Sequence, residues 1–120
     1  MTITTGADAE AEACRYLQKQ KLQLVARNFR CRLGEIDLIM RQQQRLIFIE
    51  VKYRKQSAFG HAEEMVSTSK QQKIIATAQL FLASHSEFQQ FDCRFDVVAM
   101  AYDAQQQLSI NWIQDAFAAH

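Results

Sequence analysis

Four side chains in the first half of the chain could do chemistry together: Glu35, Asp37, Glu50 and Lys52. Residues two apart on a β-strand point the same way. Glu35 and Asp37 therefore share one face of the strand in Gly34-Glu35-Ile36-Asp37-Leu38-Ile39. Glu50 and Lys52 share a face of the next, in Phe48-Ile49-Glu50-Val51-Lys52, while Val51 points the other way with Ile47 and Ile49. A carboxylate and an ammonium thus stand side by side at the end of an apolar strand, with Asp37 on the neighbouring one. Charges placed there cost several kcal/mol unless they are paired or bound to metal. Two carboxylates from adjacent strands can hold Mg²⁺ or Mn²⁺, with water completing the shell. Such an ion acidifies a bound water and neutralises an attacked phosphate. A lysine beside it orients the water or stabilises the transition state. The plainer reading is a buried Asp–Lys or Glu–Lys ion pair that fixes strand register. An isolated Glu-x-Lys triplet favours the ion pair; a Gly-Glu-Ile-Asp segment whose Asp37 precedes Glu50 by 13 residues favours the metal site.

The elements that must position these groups follow from periodicity. Alanines 7, 9, 11 and 13 and the spacing of Ala13, Tyr16 and Leu17 predict a helix from about Gly6 to Lys21, with Thr5 as its N-cap. Leu22 to Phe29 reads as a short strand. Residues 35–40 and 46–52 read as strong strands, apolar on both faces and so central in a sheet. The glutamine runs 42–44 and 105–107 read as hairpin loops. A second helix spans about Ser67 to Ser84, capped by Ser67 or Thr68, with Ile74, Ala78, Phe81 and Leu82 as its apolar stripe. Arg94 to Tyr102 is a further strand, Leu108 to Ile113 an edge strand, and the last residues a short helix. The helix between the third and fourth strands joins parallel neighbours by a right-handed crossover. The expectation is an α/β, three-layer fold: a mixed central sheet with flanking helices in the order αβββαββ, in one domain over residues 1–120.

Charge is divided along the chain. Residues 15–55 hold 11 of the 14 basic residues and three acids, a balance of +8 within a chain of net +1. Those three acids are Glu35, Asp37 and Glu50. A carboxylate cluster ringed by Arg and Lys suits an ion at its centre and nucleic-acid phosphates at its rim. Arg54 and Lys55, just past the motif strand, and Lys70 and Lys73, one helical turn apart, are candidate phosphate contacts; a solvated face is the plain alternative. Phe59-Gly60 opens either a substrate flap or a turn. Arg94 and Asp96 read as a structural salt bridge, Trp112 as a core or edge-strand contact, Cys14 as a small buried residue, and His61, His85 and His120 as surface residues. Cys14, Cys31 and Cys93 form neither a zinc spacing nor a redox pair, which fits reduced thiols in a cytoplasmic protein. The opening MTITTGADAEAEAC lacks the basic and apolar blocks of a signal peptide, and no apolar run is long enough to span a membrane.

The ordered set Gly34-Glu35-Ile36-Asp37-Leu38-Ile39 then Phe48-Ile49-Glu50-Val51-Lys52 resembles the PD-(D/E)XK nuclease superfamily. The fit is closest to the YraN family of small bacterial proteins, which look like archaeal Holliday junction resolvases. It extends through Gly6-x-x-x-Glu10-x-x-Ala13, Arg27-Asn28, Phe59-Gly60, Lys70 with Lys73, and Arg94-Phe95-Asp96-Val97-Val98. The resemblance implies a restriction-endonuclease-like fold and a Mg²⁺- or Mn²⁺-dependent endonuclease acting on nucleic acid, DNA before RNA and branched DNA in particular. It implies Asp37 and Glu50 as metal ligands, Glu10 as the helix carboxylate completing the site, Lys52 as the catalytic lysine, and Glu35 as a support or substrate contact. Ile36 stands where the motif has proline. A homodimer is implied too, because paired sites cut both strands of a junction. The competing readings are a nucleic-acid-binding module that keeps the fold without the activity, and a protein-interaction subunit whose carboxylates only stabilise. The intact set Glu10, Asp37, Glu50 and Lys52 favours the enzyme.

Overall fold

The computed structural model describes residues 3–54 and 66–119. Lys55, Phe59-Gly60, His61 and His120 lie outside the described residues.

Helix α1 runs Gly6–Lys19. Thr5 caps it as expected: its hydroxyl accepts from the Asp8 N–H at 3.1 Å, and the Asp8 carboxylate accepts from the Thr5 N–H at 3.2 Å. The helix stops short of Lys21, which turns the chain with a left-handed φ of 75°. Buried Ala9, Ala13, Cys14 and Leu17 face the sheet.

The sheet has strands β1 (Gln23–Cys31), β2 (Gly34–Gln42), β3 (Arg45–Arg54), β4 (Asp92–Tyr102) and β5 (Leu108–Phe117), in that spatial order. Neighbours are antiparallel except β3 and β4, which are parallel. Helix α2 (Thr68–Ser84) makes the connection between those two. Both glutamine runs form the expected turns, and in each a glutamine takes the left-handed conformation, Gln43 at φ 54° and Gln106 at φ 62°. In the second, Asp103 accepts from the N–H groups of Gln105 and Gln107, 2.9 Å each.

Period-two alternation sorts β3 into two cores. Ile47 and Ile49 join Leu38, Met40, Val98 and Met100 beneath α1. Leu46 and Phe48 join Ile36, Ile39, Phe95 and Val97 beneath α2, whose Ile74, Ala78 and Phe81 close that side. This is a three-layer α/β arrangement in the order αβββαββ, the pattern of a restriction-endonuclease-like fold. No helix among the described residues is long and apolar enough to cross a membrane.

Two expectations are corrected. Among the described residues the C-terminal stretch forms no helix: β5 continues to Phe117. Its register jumps from Val97↔Ile113 to Phe95↔Phe117, and the slack is taken up by Asp115 at φ 55°. The buried Asp96 carboxylate holds that bulge by accepting the Asp115 N–H at 2.9 Å, and Phe117 then stacks on Phe95. His85 is half-buried rather than a surface residue. Its ring stacks on Phe81 with centroids 3.9 Å apart, and its Nδ1 lies 2.8 Å from the Phe81 carbonyl oxygen.

Candidate metal centre

Strands β2 and β3 pair from Gln42↔Arg45 as far as Leu38↔Ile49. At that end the alternation of β2 also breaks: Ile36 and Leu38, two residues apart, pack under opposite helices. Asp37 sits at the break. One oxygen of its carboxylate, Oδ2, accepts the Val51 N–H of β3 at 2.8 Å. The side chain therefore turns toward β3 instead of lying beside Glu35 as strict alternation would place it. Glu35 pairs with Arg30 opposite it on β1, 3.0 Å from Nε, with both side chains largely exposed. Such pairs are worth about 0–1 kcal/mol.

Glu50 is 6% exposed. Its Oε1 lies 2.6 Å from Lys70 Nζ and 3.6 Å from Lys52 Nζ. Lys52 reaches it along the same strand, as the spacing predicts. Lys70 reaches it from the first turn of α2, where Ser67 caps the helix by accepting the Lys70 N–H at 3.1 Å. Gln71 ties down the same turn by donating to the Val66 carbonyl at 3.0 Å.

These charges act on one another. Burial, the Glu50 charge and, more weakly, Glu10 push Asp37 up to about 7, against the Val51 N–H and Lys70. Burial and the neighbouring Lys70 push Lys52 down, against Glu50. Lys70 goes the other way: burial opposes its charge, but the Glu50 carboxylate outweighs that and raises it. Two carboxylates that repel one another in a half-closed site are suited to a small divalent cation. An all-oxygen donor set fits Mg²⁺ or Mn²⁺ rather than a thiophilic metal. Among the described residues no three His, Cys, Asp or Glu side chains gather closely enough to hold an ion together. The donors brought together are the Asp37–Glu50 pair, and Glu10 acts on it from α1 as a charge. One or two carboxylates plus water is the usual protein share of a Mg²⁺ shell.

Arg54 lies exposed at the end of β3, and Lys73 lies exposed on α2. Lys70, which pairs with Glu50, also borders a cavity of about 270 Å³, walled by Gly34 and Glu35 from β2 and by Ser67, Ser69, Lys73 and Ile74 from the start of α2. Gly34 is required there. Its φ is 153°, and a Cβ would come within 3.0 Å of the Thr77 hydroxyl.

Away from this centre, Arg94 and Asp96 form the expected salt bridge at 2.8 Å. Sequence reading missed the wider role of Asp96, which also accepts the Trp112 indole N–H at 2.8 Å. It also missed Lys70 as the nearest cation to Glu50. The two are 20 residues apart, on a helix and a strand. The only hint was that a buried glutamate on an apolar strand needs a cation from the layer above.

The chain matches the uncharacterised protein family UPF0102 over residues 9–100. Among curated relatives it is 49% identical over 113 residues to a UPF0102 protein of Alcanivorax borkumensis, covering 94% of this chain and 90% of the relative. It is 43% identical over 117 residues to one from Francisella tularensis subsp. novicida, covering 97% and 96%. A UPF0102 protein of Saccharophagus degradans is 49% identical over 113 residues, covering 94% and 92%.

Proposed function

We propose that this chain, which belongs to the UPF0102 or YraN family, is a divalent-metal-dependent endonuclease acting on nucleic-acid phosphodiesters. The observation that carries the proposal is the Asp37–Glu50 pair on adjacent strands with Lys52 beside it on β3. Asp37 and Glu50 are the residues to hold Mg²⁺ or Mn²⁺, with Glu10 adding negative charge from α1. When bound, the ion would neutralise phosphate charge and acidify a bound water. The remaining roles belong to the chain. The Val51 N–H fixes the angle of Asp37, so the carboxylate needs little reorganisation. Lys52 presents its ammonium at the same end of β3 and is suited to charge developing on phosphoryl oxygens. Exposed Arg54 and Lys73 are suited to a rim that draws a phosphate backbone, together with the basic stretch 15–55, to which Lys55 belongs by sequence.

The resolvase-like resemblance supports DNA over RNA, branched DNA among its forms, and a homodimer. The free thiols of Cys14, Cys31 and Cys93 support the cytoplasm. The deciding experiment is a cleavage panel of branched, flapped, nicked and single-stranded DNA and RNA with Mg²⁺ and with Mn²⁺. Wild type should cut at least one substrate and Asp37→Ala none. Binding without cleavage under either metal would leave a nucleic-acid-binding module in its place.

A further inference from the structure

Two ammonium groups crowd one oxygen of the Glu50 carboxylate. Oε1 already holds Lys70 at 2.6 Å and Lys52 at 3.6 Å. A divalent ion on the same carboxylate would stand within a few ångströms of both ammonium groups, in a partly desolvated place where like charges repel strongly. One cation must retreat. Lys52 is the less able, because its side chain is 25% exposed and rises from the same strand two residues away. Lys70 belongs to the helical layer, its side chain is 41% exposed, and it borders the cavity shared with Ser67, Ser69 and Lys73.

We propose that Lys70 is an exchangeable cation: it neutralises Glu50 until a divalent ion takes that carboxylate, and then swings into the adjoining cavity to face a substrate phosphate beside Lys73. The proposal deepens, and rests on, the metal-binding role given to Glu50. It has two consequences. The site stays charge-balanced without metal, at the expense of metal affinity. The Lys70 ammonium, on the cavity wall but engaged with Glu50, is released to the cavity only when the metal is seated, so a phosphate there is gripped most firmly in the loaded protein. Lys70 is then a positioning residue that couples metal to substrate.

The test reads metal affinity and lysine exposure, neither of which needs turnover. Mn²⁺ is titrated calorimetrically into wild type, Lys70→Met, Lys70→Arg and Glu50→Gln at pH 8. Lysine labelling by reductive methylation is followed by mass spectrometry on wild type with EDTA or saturating Mn²⁺. Lys70→Met should bind Mn²⁺ about tenfold more tightly than wild type, a typical coupling between two sites, and Lys70→Arg should not. In wild type, Mn²⁺ should raise labelling of Lys70 severalfold and leave exposed Lys19 unchanged. Equal or weaker binding by Lys70→Met, or labelling of Lys70 indifferent to Mn²⁺, overturns the exchange while leaving the metal site standing. Absence of Mn²⁺ binding in every protein removes the metal-binding role and the exchange with it. The labelling measurement uses wild type alone, so it decides even if a variant fails to fold.

Discussion

The Asp37 carboxylate on β2 accepts the backbone N–H of Val51 on β3, 2.8 Å away. One side chain thus stands in for a backbone acceptor beyond the last β2–β3 pair, Leu38↔Ile49, and also faces Glu50. These tasks pull apart. The N–H needs an acceptor whatever the charge, whereas Glu50 is better served by a neutral neighbour. In EDTA at pH 8, Asp37→Asn should therefore be at least as stable as wild type, since it keeps a carbonyl oxygen and loses the repulsion. Asp37→Ala should be less stable than Asp37→Asn by about 1 kcal/mol, the low end of the penalty for a stranded donor, since the Val51 N–H is only part-buried. Urea unfolding measures both, and identical midpoints for the two variants would show that this hydrogen bond carries no weight.

Protonation of Asp37 gives the metal site a pH dependence of definite sign. The folded chain raises this group from 3.8 to about 7, mainly through burial and then through Glu50. Between those values the folded state binds a proton that the unfolded state does not. Its contribution to stability is therefore greatest at low pH and is lost as pH rises through about 7. The difference between wild type and Asp37→Asn in EDTA should widen from pH 4 to 7 and level off by pH 8. A metal ion needs the carboxylate. Mn²⁺ affinity should climb about tenfold per pH unit below 7 and flatten above it. Calorimetry in buffers of different ionisation enthalpy should count close to one proton released per ion at pH 6 and close to none at pH 8.5. A proton count that stays constant with pH would remove Asp37 from the ligand set.

Lys52 separates catalysis from charge balance. Lys70 is the closer of the two cations to Glu50, so Lys52→Ala leaves the buried carboxylate paired. The variant should fold with stability near that of wild type, without help from metal. Nucleic-acid affinity should change little. Cleavage should slow by about 10²–10³, the effect of losing one preorganised donor to the transition state. Single-turnover rates beside melting curves give both numbers, and an unchanged rate would exclude Lys52 from the chemistry.

The sequence carried the fold well because its signals were local. Doubly apolar strands, two glutamine turns and a capped first helix each follow from a few neighbouring residues, and their order leaves one mixed sheet. What escaped was non-local. Asp115 in a left-handed conformation is unremarkable in sequence until Asp96 on the adjacent strand accepts its N–H. The polar residues around it therefore resembled a strand's end. Glu50–Lys52 was visible because two residues on one strand fix their own geometry. Lys70 reached the same oxygen only through the docking of α2, which no spacing encodes. Asp37 was identified correctly by type and strand, but its rotation out of the alternating pattern depends on where β2 parts from β3.

The basic stretch makes a prediction about affinity. If the rim attracts phosphates, binding to nucleic acid should fall steeply with salt, because each neutralised phosphate releases a counterion. Charge reversal of exposed Arg54 with Lys55 should weaken all sequences alike and flatten the slope of log affinity against log salt by about one to two. Fluorescence anisotropy from 50 to 300 mM salt provides the slope, using concentrations on the order where such contacts are half screened. Salt-independent binding, or none at the low end, would favour a protein-interaction role for the chain.

Asp96 should prove the most sensitive structural position on β4. It is 1% exposed and accepts four hydrogen bonds: Arg94 Nε at 2.8 Å, Arg94 Nη2 at 2.9 Å, Trp112 Nε1 at 2.8 Å and the Asp115 N–H at 2.9 Å. These satisfy a buried carboxylate and at the same time pin the β5 bulge, seat the indole and neutralise an arginine that is 12% exposed. Asp96→Ala removes all four at once and leaves the Arg94 charge poorly solvated. The expected loss is about 3–5 kcal/mol, the range for breaking a buried pair by deleting one partner. That is a large share of the roughly 5–15 kcal/mol that holds a domain together. Deleting both partners should hurt less than deleting one. Arg94→Met with Asp96→Ala should recover part of the loss, because no charge is left stranded. The indole and Asp115 donors would stay unmatched, so recovery should fall short of wild type. Urea unfolding of the two single variants and the double variant gives the coupling. If the single losses simply add, Arg94 and Asp96 do not act as a unit, and the bulge rather than the charge pair is what Asp96 maintains.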